Sequence, residues 1–227
     1  MVKFERKNTP KAQLAIEILE QEKNKKSGKY NKEEVNQALK EMFYDKCYIC
    51  ESKKVKSCSI EHFYPYANDR NLEFDLNNLF WSCSHCNNTK LGQYYPMLDC
   101  TKIDIDDYIA FHQVDCLSEN QEFSFEIIND TLETRTTCEL LNKVYYGITE
   151  QKRHESKIIR EELRKDLSKF REFIMEYNEA EGEDKEDAAC MIKMELKNNH
   201  AFTAFKRWII RDNPKACADF IDCWKSR

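Results

Sequence analysis

Apolar residues recur every three or four positions along most of the chain, which is the pattern of amphipathic helices. The pattern predicts helices over residues 10–22, 31–43, 131–141, 149–177, 187–197, 202–211 and 214–224. Asn31 is the predicted N-cap of the second helix, and the acidic stretch from Glu179 to Glu186 is predicted to be a loop. Because 227 residues include only four glycines and four prolines, long helices are favoured over a turn-rich all-β fold.

Short central segments carry the pattern of strands instead. The predicted strands lie over residues 58–64, 78–82 and 123–128. Residues 105–111 are predicted to form a helical turn, and a short helix after the second strand is expected to end at Gly92. The predicted fold class is therefore α+β, mainly α. Its expected parts are an N-terminal helical extension, a small ββα core and a C-terminal helical region, at 1–45, 46–112 and 113–227.

Two Cys-x-x-Cys pairs frame the core segment. Cys47 and Cys50 form the first pair, and Cys83 and Cys86 form the second. Two such pairs supply the four thiolates of a closed tetrahedral zinc site, which is structural rather than catalytic. His85 could replace one thiolate, but it lies between two better-placed ligands. The sequence therefore predicts a structural zinc ion bound by four cysteines.

The remaining cysteines lack paired spacing. The total of eleven is odd and the chain opens without a signal-peptide pattern, so reduced thiols are expected rather than disulfides. We expect these seven to be small buried apolar residues: Cys58, Cys100, Cys116, Cys138, Cys190, Cys217 and Cys223. No apolar run approaches the roughly 20 residues that span a bilayer, so a cytoplasmic protein without membrane contact is predicted.

Charge is unevenly spread along the chain. Residues 1–60 contain 14 Lys and Arg against 9 Asp and Glu, and the remainder contains 22 against 32, which together give the net charge of −5. A polyanion is therefore expected to meet the basic N-terminal side only, or to be held with help from a partner. An ordinary solvated surface is the alternative interpretation of the lysine-rich run from Lys23 to Lys32.

An acid–histidine pair lies between the two cysteine pairs. His62, which follows Glu61, is a candidate general base because a neutral imidazole takes a proton from water near pH 7. Successive helix residues point about 100° apart, so Cys86 can face the zinc while Asn87 faces His62. Lys90 and Arg70 are candidate phosphate contacts, with plain surface charge as the alternative.

The order Cys-x-x-Cys, Glu-His-x-x-Pro, Asn-Leu, Cys-x-x-Cys-Asn-x-x-Lys resembles the zinc-stapled branch of the HNH endonucleases. The resemblance implies that His62 is the general base, that Asn78 positions it, and that Asn87 is the third motif residue. It also implies a catalytic Mg²⁺ or Mn²⁺ held by Glu61 and Asn87. The expected reaction is hydrolysis of phosphodiester bonds of nucleic acid, with DNA as the expected substrate and RNA as an open alternative, leaving a 5′ phosphate and a 3′ hydroxyl.

The segments that flank the core resemble a more specific group within this family. Among them are the stretch after the core, Tyr95-Pro96-Met97-Leu98-Asp99, and Leu140-Leu141-Asn142 within a helix. They resemble PtuB-like HNH subunits of Septu anti-phage systems, which implies a PtuA-like ABC-type ATPase as partner. An apolar stripe that could contact it comprises Phe202, Phe205, Trp208 and Ile209, with closure of the protein's own core as the alternative.

Other functions explain part of the same pattern. A zinc-stapled interaction module without catalysis would need neither Glu61, His62 nor Asn87. A stand-alone restriction-type HNH nuclease would need a reader domain, and the helical tail offers no recognisable one. Both stay open at the level of the sequence.

Overall fold

The chain folds into helices and two small antiparallel sheets in a computed structural model that describes residues 1–53, 57–114 and 122–225. The helices are α1 (Pro10–Lys23), α2 (Glu33–Met42), α3 (Arg70–Glu73), α4 (Ser84–Lys90), α5 (Leu132–Tyr145), α6 (Glu150–Glu179), α7 (Gly182–Glu195) and α8 (Thr203–Asp212). The strands are β1 (Cys58–His62), β2 (Leu79–Cys83), β3 (Ile109–Gln113) and β4 (Phe123–Ile127). Within these ranges no helix is long and apolar enough to cross a membrane. The predicted α+β, mainly helical class is confirmed.

The first sheet and the helix after it form one continuous unit. β1 and β2 pair antiparallel, with Ser59 opposite Ser82 and His62 opposite Leu79. α4 begins at the residue that follows β2, and it packs on both strands. Both predicted strands therefore exist, but β1 ends two residues before Tyr64 and β2 starts one residue after Asn78.

The second sheet was predicted in part only. β4 lies where the alternation indicated it, and it pairs with β3. The predicted helical turn over 105–111 is wrong beyond its beginning, because a 3₁₀ turn at Ile105–Asp107 leads directly into β3. Five residues are too few for their period to be read reliably, and the pairing with β4 decides their conformation.

Three further predictions are wrong, and they concern a loop, an N-cap and the last helix. The acidic stretch after Glu179 is no loop, because α7 begins at Gly182. Carboxylates in the first turn of a helix are stabilised by its dipole, so acidity here favours a helix start. The N-cap of α2 is Lys32, and the Asn31 amide oxygen accepts a hydrogen bond from Asn36 instead. The predicted helix over 214–224 is reduced to a 3₁₀ turn at Ala218–Phe220.

The remaining cysteines only partly follow the prediction that they are buried. Cys100, Cys138 and Cys217 are buried and Cys58 is half-buried, but Cys190 and Cys223 are exposed. These two lie on the outer side of α7 and in the C-terminal turns, where no element covers them. Cys116 lies outside the described residues.

The apolar stripe of α8 packs inside the protein. Phe205 makes edge-to-face contacts with Phe111 and Phe123, at ring-centroid distances of 5.3 and 5.5 Å. Phe202 and Ile209 are buried as well, and Trp208 is partly buried against the same core. The stripe therefore closes the protein's own core, which was the alternative to a partner surface.

This packing predicts a large effect of truncating Phe205. We expect Phe205→Ala to lower the free energy of unfolding by about 3–5 kcal/mol, because a cavity replaces an aromatic ring in the core. Leu132→Ala, at an exposed apolar residue on α5, is the matched control and should change it by less than about 0.5 kcal/mol. Urea denaturation measures both, and equal effects of the two variants would contradict the assignment of Phe205 to the core.

Candidate metal centre and histidine site

Four buried cysteine sulfurs form a compact cluster. The Sγ atoms of Cys47, Cys50, Cys83 and Cys86 all lie within 4.8 Å of one another. The Cys50 and Cys83 sulfurs are 3.9 Å apart. A tetrahedral zinc site with metal–sulfur bonds of about 2.3 Å has sulfur–sulfur edges of about 3.8 Å. The cluster therefore has the donor set and the dimensions to hold a metal ion such as zinc, and within the described residues it is the group that does.

The local backbone brings the two pairs together. The first pair lies in the segment after α2, where the Tyr48 N–H donates to the Trp81 carbonyl on β2 at 3.1 Å. The second pair spans the junction of β2 and α4, and Cys83 is the N-cap of that helix. The Cys83 sulfur accepts the Cys86 N–H at 3.4 Å. The cluster thus ties the segment before β1 to the end of β2.

The ionisation of these thiols is strongly coupled. Burial raises the pKa of Cys47, but hydrogen bonds from the other three sulfurs outweigh it and hold that pKa well below its ordinary value. Hydrogen bonding to Cys47 in turn raises the pKa of Cys50 well above its ordinary value. A bound cation favours the thiolate form of such cysteines.

His85 does not belong to the cluster, although it lies between two of its members. Its Nδ1 is 2.7 Å from a carboxylate oxygen of Glu155 on α6, and its Nε2 is 2.8 Å from the Val144 carbonyl on α5. Both ring nitrogens are therefore engaged with the C-terminal helices. His85 connects α4 to those helices instead of replacing a thiolate.

His62, at the end of β1, is held in a defined orientation. Its Nε2 lies 3.0 Å from the carbonyl oxygen of Glu73, the last residue of α3. Because a carbonyl oxygen only accepts, Nε2 carries the proton in this contact and Nδ1 keeps its lone pair. In the described part of the chain no residue hydrogen-bonds to Nδ1. Burial lowers the pKa of His62 from 6.5, although the Glu73 carbonyl opposes the shift, so the ring is neutral at pH 7.

Two tyrosines flank this imidazole. The Tyr30 ring, from the segment between α1 and α2, stands edge-on to it at 4.6 Å, and the Tyr66 ring is tilted at 4.5 Å. Neither tyrosine was predicted from the sequence. The only signal is local for Tyr66, which follows His62 by four residues, and Tyr30 is too distant in sequence to be found that way.

Asn78 fixes the chain directly after His62. Its backbone carbonyl accepts the Phe63 N–H at 2.9 Å, and its side-chain oxygen accepts the Tyr64 N–H at 2.7 Å. Its side-chain nitrogen donates to the carbonyls of Tyr64 and Leu72 at 3.0 and 2.9 Å. Asn78 thus joins the end of β1 to the segment that contains α3.

Glu61 points into the interior. Lys90 on α4 is bonded to one of its carboxylate oxygens, and the Tyr48 hydroxyl donates to the other at 2.8 Å. Lys90 also donates to the carbonyls of His62 and Phe63 at 2.9 and 3.1 Å. Burial raises the pKa of Glu61, and the charge of Lys90 opposes that rise. The Lys90 ammonium is only 1% exposed and is committed to this network rather than to solvent.

The structure does not bring Asn87 and His62 together. The Asn87 amide donates to the Ser59 hydroxyl at 3.1 Å, on the side of β1 that also carries Glu61. Side chains alternate along a strand at about 3.3 Å per residue, so Ser59 and His62 face opposite sides and lie about 10 Å apart. Glu61 and Asn87 share a face, but both Glu61 oxygens are already bonded. Binding of Mg²⁺ or Mn²⁺ by Glu61 and Asn87 stays a prediction.

Arg70 closes the end of α1. Its guanidinium donates to the backbone carbonyls of Glu22, Lys23 and Lys25, at distances from 2.6 to 3.2 Å. A cation at a helix C-terminus satisfies the last carbonyls and interacts favourably with the helix dipole. Arg70 therefore holds the N-terminal helices against α3 in this structure.

Comparison of the chain with family models, with curated proteins and with solved structures gives no match.

Metal content tests the cysteine cluster. We expect one zinc ion per chain, retained in Cys190→Ser and lost in Cys50→Ser, because only the second variant removes a ligand. Elemental mass spectrometry of the purified proteins measures this. Equal zinc content in both variants would contradict the cluster as the binding site.

The pairing of Glu61 with Lys90 predicts a stability effect. We expect Glu61→Gln to lower the free energy of unfolding by about 3–5 kcal/mol, because Lys90 is left as an uncompensated buried charge. The double variant Glu61→Leu/Lys90→Met removes both charges and should recover most of that loss. Urea denaturation of zinc-loaded protein gives both values, and an unchanged Glu61→Gln variant would exclude a structural ion pair.

Proposed function

We propose that the protein hydrolyses phosphodiester bonds of DNA, with the β1–β2–α4 unit as an HNH-type ββα core and zinc in the four-cysteine cluster. The observation that carries the proposal is the state of His62. A backbone carbonyl holds its Nε2 proton, its Nδ1 is free of protein partners among the described residues, and its lowered pKa keeps it neutral. These are the properties of a general base near pH 7.

In the proposed reaction His62 Nδ1 takes a proton from a water molecule. The water oxygen attacks phosphorus as the bond to the 3′ oxygen breaks, and the 3′ oxygen leaves with the electron pair of that bond and takes a proton from a second water molecule. The products are a 5′ phosphate and a 3′ hydroxyl, and the imidazolium returns its proton to solvent. The Glu73 carbonyl stabilises the imidazolium that forms, because it accepts a hydrogen bond from the Nε2–H group. Asn78 acts as a positioning residue, since it clamps Phe63 and Tyr64 next to the base.

A catalytic divalent ion is the weakest part of the HNH resemblance. Mg²⁺ is bound by carboxylates and water, and each oxygen of the Glu61 carboxylate already accepts one hydrogen bond, from Lys90 or from Tyr48. We therefore assign no step to such an ion. Mg²⁺ and Mn²⁺ dependence remains a prediction from the resemblance alone.

The partner also remains a proposal. A PtuA-like ABC-type ATPase in an anti-phage complex would add affinity for DNA, which a chain of net charge −5 attracts only weakly. The α8 stripe is buried and is not available for that contact. The ATPase would therefore have to bind another surface of the protein.

A second candidate is a zinc-stapled interaction module without catalysis. The specific observation in its favour is the closed Glu61–Lys90 pair, together with the position of Asn87 on the opposite side of β1 from His62. This candidate requires no activity from His62, so one variant separates the two functions.

Substitution of His62 is the test. We expect His62→Ala to abolish cleavage of plasmid DNA by zinc-loaded protein, assayed with Mg²⁺ or Mn²⁺ and with the ATPase where it co-purifies. His154→Ala, at an exposed histidine on α6, is the matched control and should retain full activity. Zinc content should be equal in both.

The pH profile adds a second readout. Because the base must be neutral, the cleavage rate should fall as pH drops through the lowered pKa of His62, with a midpoint below 6.5. Full activity of His62→Ala would remove His62 from this role. Absence of cleavage under all these conditions would favour the interaction module.

A further inference from the structure

The segment between α1 and α2, residues 24–32, is held rigidly at its base. The Glu22 carboxylate is buried and accepts the Lys29 backbone N–H at 2.9 Å, and it pairs with the ammonium groups of Lys25 and Lys32. These bonds lower the pKa of Glu22 to about 2, with the Lys25 contact as the largest cause. A Cβ at Gly28 would lie 1.8 Å from the Glu22 carbonyl oxygen, so only glycine permits this close approach.

The same segment is fixed relative to the histidine. Arg70, the first residue of α3, donates hydrogen bonds to the carbonyls at the start of the segment. The carbonyl of Glu73, the last residue of α3, accepts a hydrogen bond from His62 Nε2. Tyr30, within the segment, packs directly on the His62 ring. One helical turn therefore holds both the basic segment and the imidazole.

Two lysines of this segment are free of acidic partners. Lys25 and Lys32 pair with Glu22, and Lys23 pairs with Glu20. Lys26 and Lys29 are exposed, and within the described residues neither has an ion pair. Lys29 is adjacent to Tyr30 in the chain, so their Cα atoms lie about 3.8 Å apart. Lys29 is thus the chain neighbour of the tyrosine that packs on His62, and Lys26 lies four residues before that tyrosine.

We infer that Lys26 and Lys29 form the phosphate-binding surface that holds DNA beside His62. The inference rests on the proposed function and names the contacts that the site needs. It assigns to these lysines the role that the sequence suggested for Lys90 and Arg70, whose charged groups are committed to Glu61 and to the end of α1. Backbone phosphates are the ligand class, because lysine ammonium groups contact them without reading sequence.

Salt-dependent binding tests the inference. All proteins carry His62→Ala so that the duplex stays intact, and anisotropy of a fluorescein-labelled DNA duplex is measured across a salt series. We expect Lys26→Ala/Lys29→Ala to bind more weakly, with a slope of log affinity against log salt smaller by about 2, at about 0.9 per lost phosphate contact. The control, Lys165→Ala/Lys169→Ala, removes two exposed lysines from α6 and should leave the slope unchanged.

The outcomes separate the inference from the proposed function. Equal slopes and affinities for the two double variants would overturn the inference, as would an absence of measurable binding by the parent protein. Tighter binding of an RNA duplex of the same sequence would overturn DNA as the ligand. Cleavage that persists in the His62→Ala background would instead contradict the proposed function, whatever the binding result.

Discussion

The four-cysteine cluster is the constraint on which the site depends. Two paired strands of five residues are marginal by themselves in water, and α4 is only seven residues long. A tetrahedral metal held by the cluster would join the segment before β1 to the junction of β2 with α4 and so fix these short elements in one arrangement. The cysteine cluster thus lies at one end of the paired strands, next to Cys83, and His62 lies at the other end, opposite Leu79.

The buried ion pair of Glu61 and Lys90 also holds the short elements of the β1–β2–α4 unit together. Lys90 crosses from α4 to Glu61 and to the carbonyls that follow it, so the helix is bonded to the strand through a buried ion pair. Such a pair specifies packing more than it adds stability, because both charges lose their water. It also occupies the carboxylate that an HNH-type metal would use. A divalent ion bound by Glu61 would therefore compete with the packing of α4.

Sequence periodicity and cysteine spacing predicted the long helices and the cysteine cluster, but not the side-chain contacts of the site. The cluster was predictable because two equal spacings supply four soft ligands, and α6 was predictable because its stripe is long. The relation of Asn87 to His62 was not, since it depends on the alternation of Ser59, Glu61 and His62 along the strand as well as on the angle between Cys86 and Asn87 on the helix. Tyr30 and the Glu73 carbonyl reach the site by tertiary packing, and no local sequence pattern predicts them. Lys90 was predicted from the sequence, but as a phosphate contact and not as the partner of Glu61.

The central claim is that the fold presents His62 as a neutral base with Nδ1 unprotonated. Nitrogen-15 NMR of the histidine side chains in zinc-loaded protein at neutral pH measures this directly, because protonated and bare ring nitrogens have well-separated shifts. We expect the proton on Nε2 and a bare Nδ1. A proton on Nδ1, or a doubly protonated ring at that pH, would contradict the claim.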